Sequence, residues 1–451
     1  MGRMSIAAAI ILATGMGAVP VLAEDQSDLV TVQQRVAEME KDLTSMRSQL
    51  QSQAAQIRIQ DSQLRLYDEQ SRAAGRATDV DKVVREVMAD ANERSRLLAD
   101  SGGANAGYNN GFFITSGEGF TLRIRGLLMT RYTYDHQQGS GGDGDRGGFE
   151  LARTRFGFFG NVIDPSWQFV LWTGYNADAG TTLLDAYIKK TFDNGVTLTV
   201  GQYKLPFWRE WLISETRLPM SERSLLNRYG GSYTQGVMLG YEKDQLHAYA
   251  SVSDGINALN ANALTEDVEG VALTGRIEWL AAGKWVQYSD FEAWPGDEPL
   301  VVIGASAHYQ NGEYGTSAQE TEILRWNLDS TVKWKKLSVL AAVTGNYQDA
   351  VDSLDQYGTL VQLGYFLTDN MEAHLRYEWG RSDIAGEEDL SIVTIGVDRH
   401  WAKHQVRVVF DIGYAFNSVS PFWASQQAGW RADADGENGQ IVVRTQFELN
   451  F

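Results

Sequence analysis

"FTLRIRGLLMTRYTYD", residues 120–135, alternates. Phe120, Leu122, Ile124, Leu128, Tyr132 and Tyr134 fall on one face of an extended strand; Arg123, Arg125, Met129, Arg131 and Asp135 fall on the other. The same period returns in "MEAHLRYEWG" (371–380), "HQVRVVFDIGYAF" (404–416) and the terminal "QIVVRTQFELNF" (440–451). Between residue 120 and the end of the chain, about sixteen such segments of roughly 10 to 14 residues follow one another. That is the length a tilted strand needs to cross a bilayer, and the number is even, as bacterial barrels require.

The connections agree. Short turns, "DPS" (164–166), "DNG" (193–195), "KD" (243–244) and "TDN" (368–370), mostly alternate with longer polar loops near 135–149, 205–232, 254–268, 311–320, 348–356, 381–388 and 417–439. Short on one side and long on the other is the outer-membrane pattern. Residues 280–299 break it, being long where a short turn is due, so the strand count is open there.

Two physical arguments separate a membrane barrel from a soluble sandwich. Tyr134, Trp167, Trp279, Trp334, Tyr347, Tyr377, Trp379 and Tyr414 sit outward near strand ends, where interfacial girdles belong. Charges also keep to one parity: a lipid-facing arginine at the midplane costs about 2 to 4 kcal/mol, so the arginines of the first two strands point inward. An interior so polar implies a wide, wet lumen, because a closed core would bury the same charges at a larger penalty.

Composition narrows the remaining classes. The 451 residues carry no cysteine, which removes disulfides, thiolate chemistry and cysteine zinc sites. A formal charge of −19 argues against nucleic acid as a partner. Arg3, the apolar "SIAAAIILATGMGAV" and "VLA" ending at Ala23 read as a signal peptide over residues 1–23. Residues 24–68 read as a parallel coiled-coil stalk. Leu29, Val36, Leu43, Leu50, Ile57 and Leu64 fill the a positions, and Val32, Met39, Met46, Gln53, Gln60 and Tyr67 the d positions. Residues 69–119 read as a helical linker with a Gly/Asn-rich end. The expected fold is thus an all-β transmembrane barrel of about 16 antiparallel strands over 120–451, preceded by an α-helical parallel coiled coil.

"GQYKLPFWREWLISETRLPMSERSLLN", residues 201–227, resembles the motif after the fifth strand in phosphate-selective porins O and P, with its Gly-Gln-x-Lys-x-Pro-Phe start and later Glu-Arg-Ser. "LLDAYIKK", "ELARTRFGFFG", "GFFITSGEGFTLRIRG" and the terminal Phe451 are similar to that family as well. The resemblance implies a homotrimeric outer-membrane porin in contact with lipid and lipopolysaccharide, its long loop folded inward to narrow the pore, and Phe451 as the assembly signal. It also implies passage of small anionic or hydrophilic solutes, phosphate among them. Carried over residue by residue, the pore-lining anion-binding candidates are Arg123, Arg125, Arg131, Arg153, Arg155, Asp185 and Lys204. The constriction-loop candidates are Arg209, Glu210, Arg217, Glu222, Arg223 and Arg228. Fixed cations in a water-filled constriction lower the barrier to anions. The competing account is that these arginines only neutralise loop carboxylates across the lumen. A structural outer-membrane anchor, whose periplasmic coiled coil spaces the membrane from the cell wall, is the alternative role.

The acidic stretch around Asp433, Asp435, Gly436 and Glu437 lacks the distal glutamate of an EF-hand and reads as a solvated loop suited to divalent ions that bridge lipopolysaccharide. His400 and His404, four apart in an expected turn, read as surface residues without a third ligand, so neither metal nor cofactor is expected. No nucleophile elbow, phosphate-binding loop or paired-carboxylate site points to an enzyme.

Overall fold

The computed structural model describes residues 104–451 apart from 110, 118, 139–143, 177–179, 257, 261–268, 314–319, 350–352, 385 and 434–437. The expected signal peptide, coiled coil and linker up to residue 103 lie outside the described residues, as does most of the acidic stretch at 433–437.

Sixteen antiparallel strands close into a barrel. They are β3 (Phe120–His136), β4 (Asp145–Asn161), β5 (Trp167–Asn176), β6 (Gly180–Thr191), β7 (Val196–Lys204), β8 (Tyr233–Lys243), β9 (Leu246–Ser253) and β10 (Glu269–Ala282). The circuit continues through β11 (Leu300–Glu313), β12 (Glu320–Trp334), β13 (Leu337–Asp349), β14 (Ser353–Phe366), β15 (Met371–Ser382), β16 (Leu390–His400), β17 (Val406–Ala415) and β18 (Ile441–Asn450). Each strand pairs with the next, and β18 pairs with β3 from Ile441 opposite His136 to Asn450 opposite Leu127, so the wall has no free edge. Among the described residues no helix is long and apolar enough to cross a membrane.

The alternation read from the sequence fixes what faces lipid. Along β10, Leu273, Ile277 and Trp279 are exposed while Thr274, Arg276 and Glu278 between them are buried. Leu328, Trp334, Tyr377 and Tyr414 continue the apolar exterior on other strands. A surface this apolar around the whole wall is unfavourable in water and favourable in hydrocarbon. Two of the short turns, Asp244–Gln245 and Lys335–Lys336, need a left-handed first residue; Asp244 and Lys335 supply φ of 53° and 58°.

Ahead of the barrel, the Gly/Asn-rich end of the linker forms a hairpin of β1 (Asn105–Tyr108) and β2 (Phe112–Ser116). β2 pairs with β3 from Phe112 opposite Ile124 to Ser116 opposite Phe120. It therefore continues the line of β18 beyond the terminal residue. Phe451 itself exchanges both backbone hydrogen bonds with Gly126, at 2.7 and 2.9 Å. A Cβ at position 126 would meet the Phe451 ring at 2.4 Å, so the glycine is what lets the terminal ring sit there.

The lumen is not wet throughout, contrary to the expectation from inward charge alone. Loop 205–232 and residues 416–433 fold inside, and their apolar residues pack into one buried cluster that includes Phe207, Trp208, Leu226, Tyr229, Trp423 and Trp430. Gly380 and Gly413 leave room on the inner wall for Trp423 and Trp430. The inner wall can be polar and the lumen still apolar at its centre because the loops bring their own hydrophobic side chains. Residues 283–299 do not alter the strand count: they form a true long connection between β10 and β11 that buries Phe291, Glu292 and Ala293.

Candidate pore constriction

Loop 205–232 runs from β7 to β8 and is anchored to strands on every side of the barrel. The Phe207 carbonyl accepts from Arg276 on β10 (2.8 Å) and Ser306 on β11 (2.9 Å). Arg325 on β12 donates to the Tyr229 carbonyl. The Leu225 amide donates to Glu378 on β15 (2.6 Å), Arg376 donates to the Glu222 carbonyl (2.8 Å), and the Ser221 amide donates to Asp411 on β17 (2.9 Å). A segment held from so many strands crosses the lumen and narrows it. Its two α-helical turns, Arg209–Leu212 and Asn227–Gly230, have no side-chain cap and are held by these contacts instead.

Four of the nine expected arginines, Arg131, Arg153, Arg155 and Arg223, are paired with carboxylates. Glu222 bridges Arg131 (3.1 Å) and Arg153, and Arg131 also meets Glu150 at 2.8 Å. Burial alone would raise the Glu222 carboxyl, but Arg153 and Arg131 outweigh it and hold it at about 2. Glu215 binds Arg155 (2.8 Å) and Arg223 (3.0 Å), and the same balance of burial against Arg155 and Arg223 sets it well below the usual carboxylate range.

Other loop candidates brace the loop itself. Glu210 accepts from the Ser224 amide (2.9 Å) and hydroxyl and lies 3.5 Å from Arg376. Arg209 stacks 3.3 Å over the Tyr288 ring and donates to the Tyr288 carbonyl. Arg228 lies 4.5 Å over Phe422. Arg223 also donates to the carbonyls of Glu210 (3.1 Å) and Ile213 (2.8 Å).

A different subset converges on open space. A cavity of about 380 Å³ between the β3–β6 wall and loop residues 212–217 is lined by Arg125, Arg155, Lys204 and Arg217, against the carboxylates of Asp185 and Glu215. Lys204 donates to the carbonyls of Trp211 (2.8 Å) and Ile213, and Arg217 to that of Ser289 (3.2 Å); neither forms a salt bridge with a carboxylate among the described residues. Arg125 lies 5.2 Å from the Phe159 ring, and its buried Nε has no hydrogen-bond partner among the described residues. Arg123 is exposed nearer the rim. Arg217 and Asn450 line both this cavity and a larger one of about 1040 Å³ at the end where the chain terminates, so the two adjoin.

The structure also corrects the reading of His400 and His404. His400 ends β16 rather than sitting in a turn and is 1% exposed; His404 is largely covered, and Trp294 packs on both rings. Sequence reasoning did not single out Glu215, Arg276, Arg325, Arg376, Glu378 or Asp411 as site residues. For the five strand residues inward parity was the only available sign; Glu215 lies in the loop and showed only as one of its negative charges.

No curated protein is similar in sequence. Among solved structures, the anion-selective porin from Comamonas acidovorans superposes with a TM-score of 0.54 at 12% identity, over 74% of this chain and all (100%) of that one. OmpT of Vibrio cholerae in its in-vitro folded trimer form superposes at 0.50 with 11% identity, over 73% of this chain and 99% of that one. Such identities establish a shared fold. The sequence model described as phosphate-selective porin O and P matches residues 128–376, from the first wall strand into β15 and over half the chain, and the protein is accordingly a porin that belongs to that family.

Proposed function

We propose that the protein is a passive outer-membrane channel that favours small anions, with inorganic phosphate the solute its chemistry fits best. The observation that carries this reading is the cavity beneath the loop, where four cations meet two carboxylates and three of the four form no salt bridge among the described residues. Unpaired guanidinium and ammonium groups over water-filled space attract anions and pair phosphate oxygens through charge-assisted hydrogen bonds. The neutralising account holds for Arg131 and Arg153, which belong to Glu222. It does not extend to Arg125, Lys204 and Arg217. Homotrimers are the proposed assembly, as the Vibrio cholerae trimer supports, and the coiled coil over 24–68 would extend into the periplasm.

Reversal potentials in planar bilayers under a potassium chloride gradient test the reading. The wild type is expected to be anion-selective, Arg125→Glu with Lys204→Glu to lower or invert that preference, and added phosphate to reduce chloride current. A cation-selective wild-type channel sinks the assignment.

A further inference from the structure

We infer that the protein binds one divalent transition-metal ion, of the zinc class, between the in-folded connection 283–299 and the inner wall of β15 and β16. The inference does not depend on the anion reading. Glu292 from the connection, Glu372 from β15, and Asp398 and His400 from β16 are all buried, and each places one donor atom within 4.8 Å of the others. Asp290, Glu292 and His404 form an adjoining group at the same spacing.

Charge and hydrogen bonding both leave the cluster incomplete. Five carboxylates meet here, those of Asp290, Glu292, Glu372, Asp398 and Glu448. The cations facing them are Lys333, 2.5 Å from Asp290, and Arg407. Arg407 is committed to Glu448 at 2.7 Å and lies 3.4 Å from Asp398 and 3.5 Å from Glu292. Both oxygens of Glu292, both of Glu372, Asp398 Oδ1, His400 Nε2 and His404 Nδ1 are buried without a hydrogen-bond partner. Buried carboxylates in that condition are strongly unfavourable unless a proton or a cation sits among them.

The histidines indicate a cation. His400 Nδ1 lies 3.1 Å from the Lys403 carbonyl, an acceptor, so that nitrogen carries the hydrogen and Nε2 presents its lone pair. Nε2 lies 3.0 Å from Asp398 Oδ2 without hydrogen-bonding geometry. His404 repeats the pattern, with Nε2 3.2 Å from Asp290 and Nδ1 turned toward Glu292 at 3.6 Å. A histidine whose outer nitrogen is fixed by an acceptor while its inner nitrogen faces carboxylates has the usual build of a metal-ligating imidazole. Imidazole alongside carboxylates favours zinc over calcium, which takes six to eight oxygens. Bound metal would tie 283–299 to the wall beside the larger cavity, whose lining includes Trp294, His400 and His404.

The test uses untagged full-length protein in detergent, stripped with chelator and dialysed against zinc-buffered solution, with metal read by mass spectrometry. One zinc per chain is expected. Glu372→Gln or His400→Gln should weaken binding at least tenfold, and the double variant should abolish it. His136→Gln, on the exposed His136–Asp145 pair, should leave binding intact. Heat-modifiable gel mobility shows whether each variant remains folded, and zinc should raise the unfolding temperature of the wild type but not of the folded double variant. No stoichiometric zinc, zinc retained by the double variant, or calcium binding with equal affinity overturns the inference.

Discussion

Replacing Glu222 by glutamine removes the one carboxylate that faces both Arg131 and Arg153. At 3.1 Å and an effective dielectric of about 20, the Arg131 contact alone is worth about 5 kcal/mol before desolvation is subtracted. Removing one partner of a buried pair costs about 3 to 5 kcal/mol, because the other charge stays behind. Linkage gives a similar figure. A carboxyl held at about 2, rather than its ordinary 4.5, carries roughly 3 kcal/mol. Folding lowers this pKa, so the stabilisation is complete above about pH 4.5 and is lost as the pH falls through about 2. Glu222→Gln should therefore lower the unfolding temperature in detergent and, by leaving Arg153 without its salt bridge and Arg131 with only Glu150, shift the reversal potential toward anions. Glu222→Asp should do less of both. Wild-type selectivity should not change between pH 7 and pH 4 on account of this group. An unshifted reversal potential together with unchanged stability would refute the assignment of Glu222 as the bridge between loop and wall.

Trp423→Ala empties a fully buried position against Gly380 and should cost about 3 to 5 kcal/mol, seen as a lower unfolding temperature and noisier open-channel current. Quiet channels of wild-type stability would show that the lumenal apolar cluster is not structural. Gly126→Val places its side chain in the Phe451 ring, so refolding into vesicles should fall severalfold; wild-type yield would contradict the close packing. Deleting Phe451 should reduce the amount of assembled protein in cells while the single-channel conductance of the remainder changes little. Normal assembly would refute the proposal that Phe451 is an assembly signal.

The wall was legible because lipid and lumen impose opposite polarity on neighbouring residues, and that constraint is written locally, two residues at a time. Strand positions, inward arginines and outward tryptophans follow from it. Loop 205–232 was legible as a constriction only through its resemblance to a family. Its contacts were not, since Glu222 meets Arg131 and Leu225 meets Glu378 across separations of 91 and 153 residues. No local period encodes which inward charges face each other across a lumen. The inward turn of 283–299 and the burial of His400 were missed for the same reason: Glu292 and Glu372 are distant in sequence, and a histidine without neighbours to ligate with looks like a surface residue.

The strand that seals the barrel comes in two pieces, and this bears on the order of folding. β2 and β3 are separated by three residues, so their hairpin is a local contact able to form early, long before β18 has travelled the length of the chain to reach the same edge. When β18 arrives, Phe451 opposite Gly126 stops just short of Phe112 opposite Ile124, with only Arg125 between. A slip of β18 toward β2 would drive one phenylalanine into the other, and a one-residue slip would also turn its inward charges to lipid. The hairpin thus serves as a ruler: it marks in advance where the last strand must end.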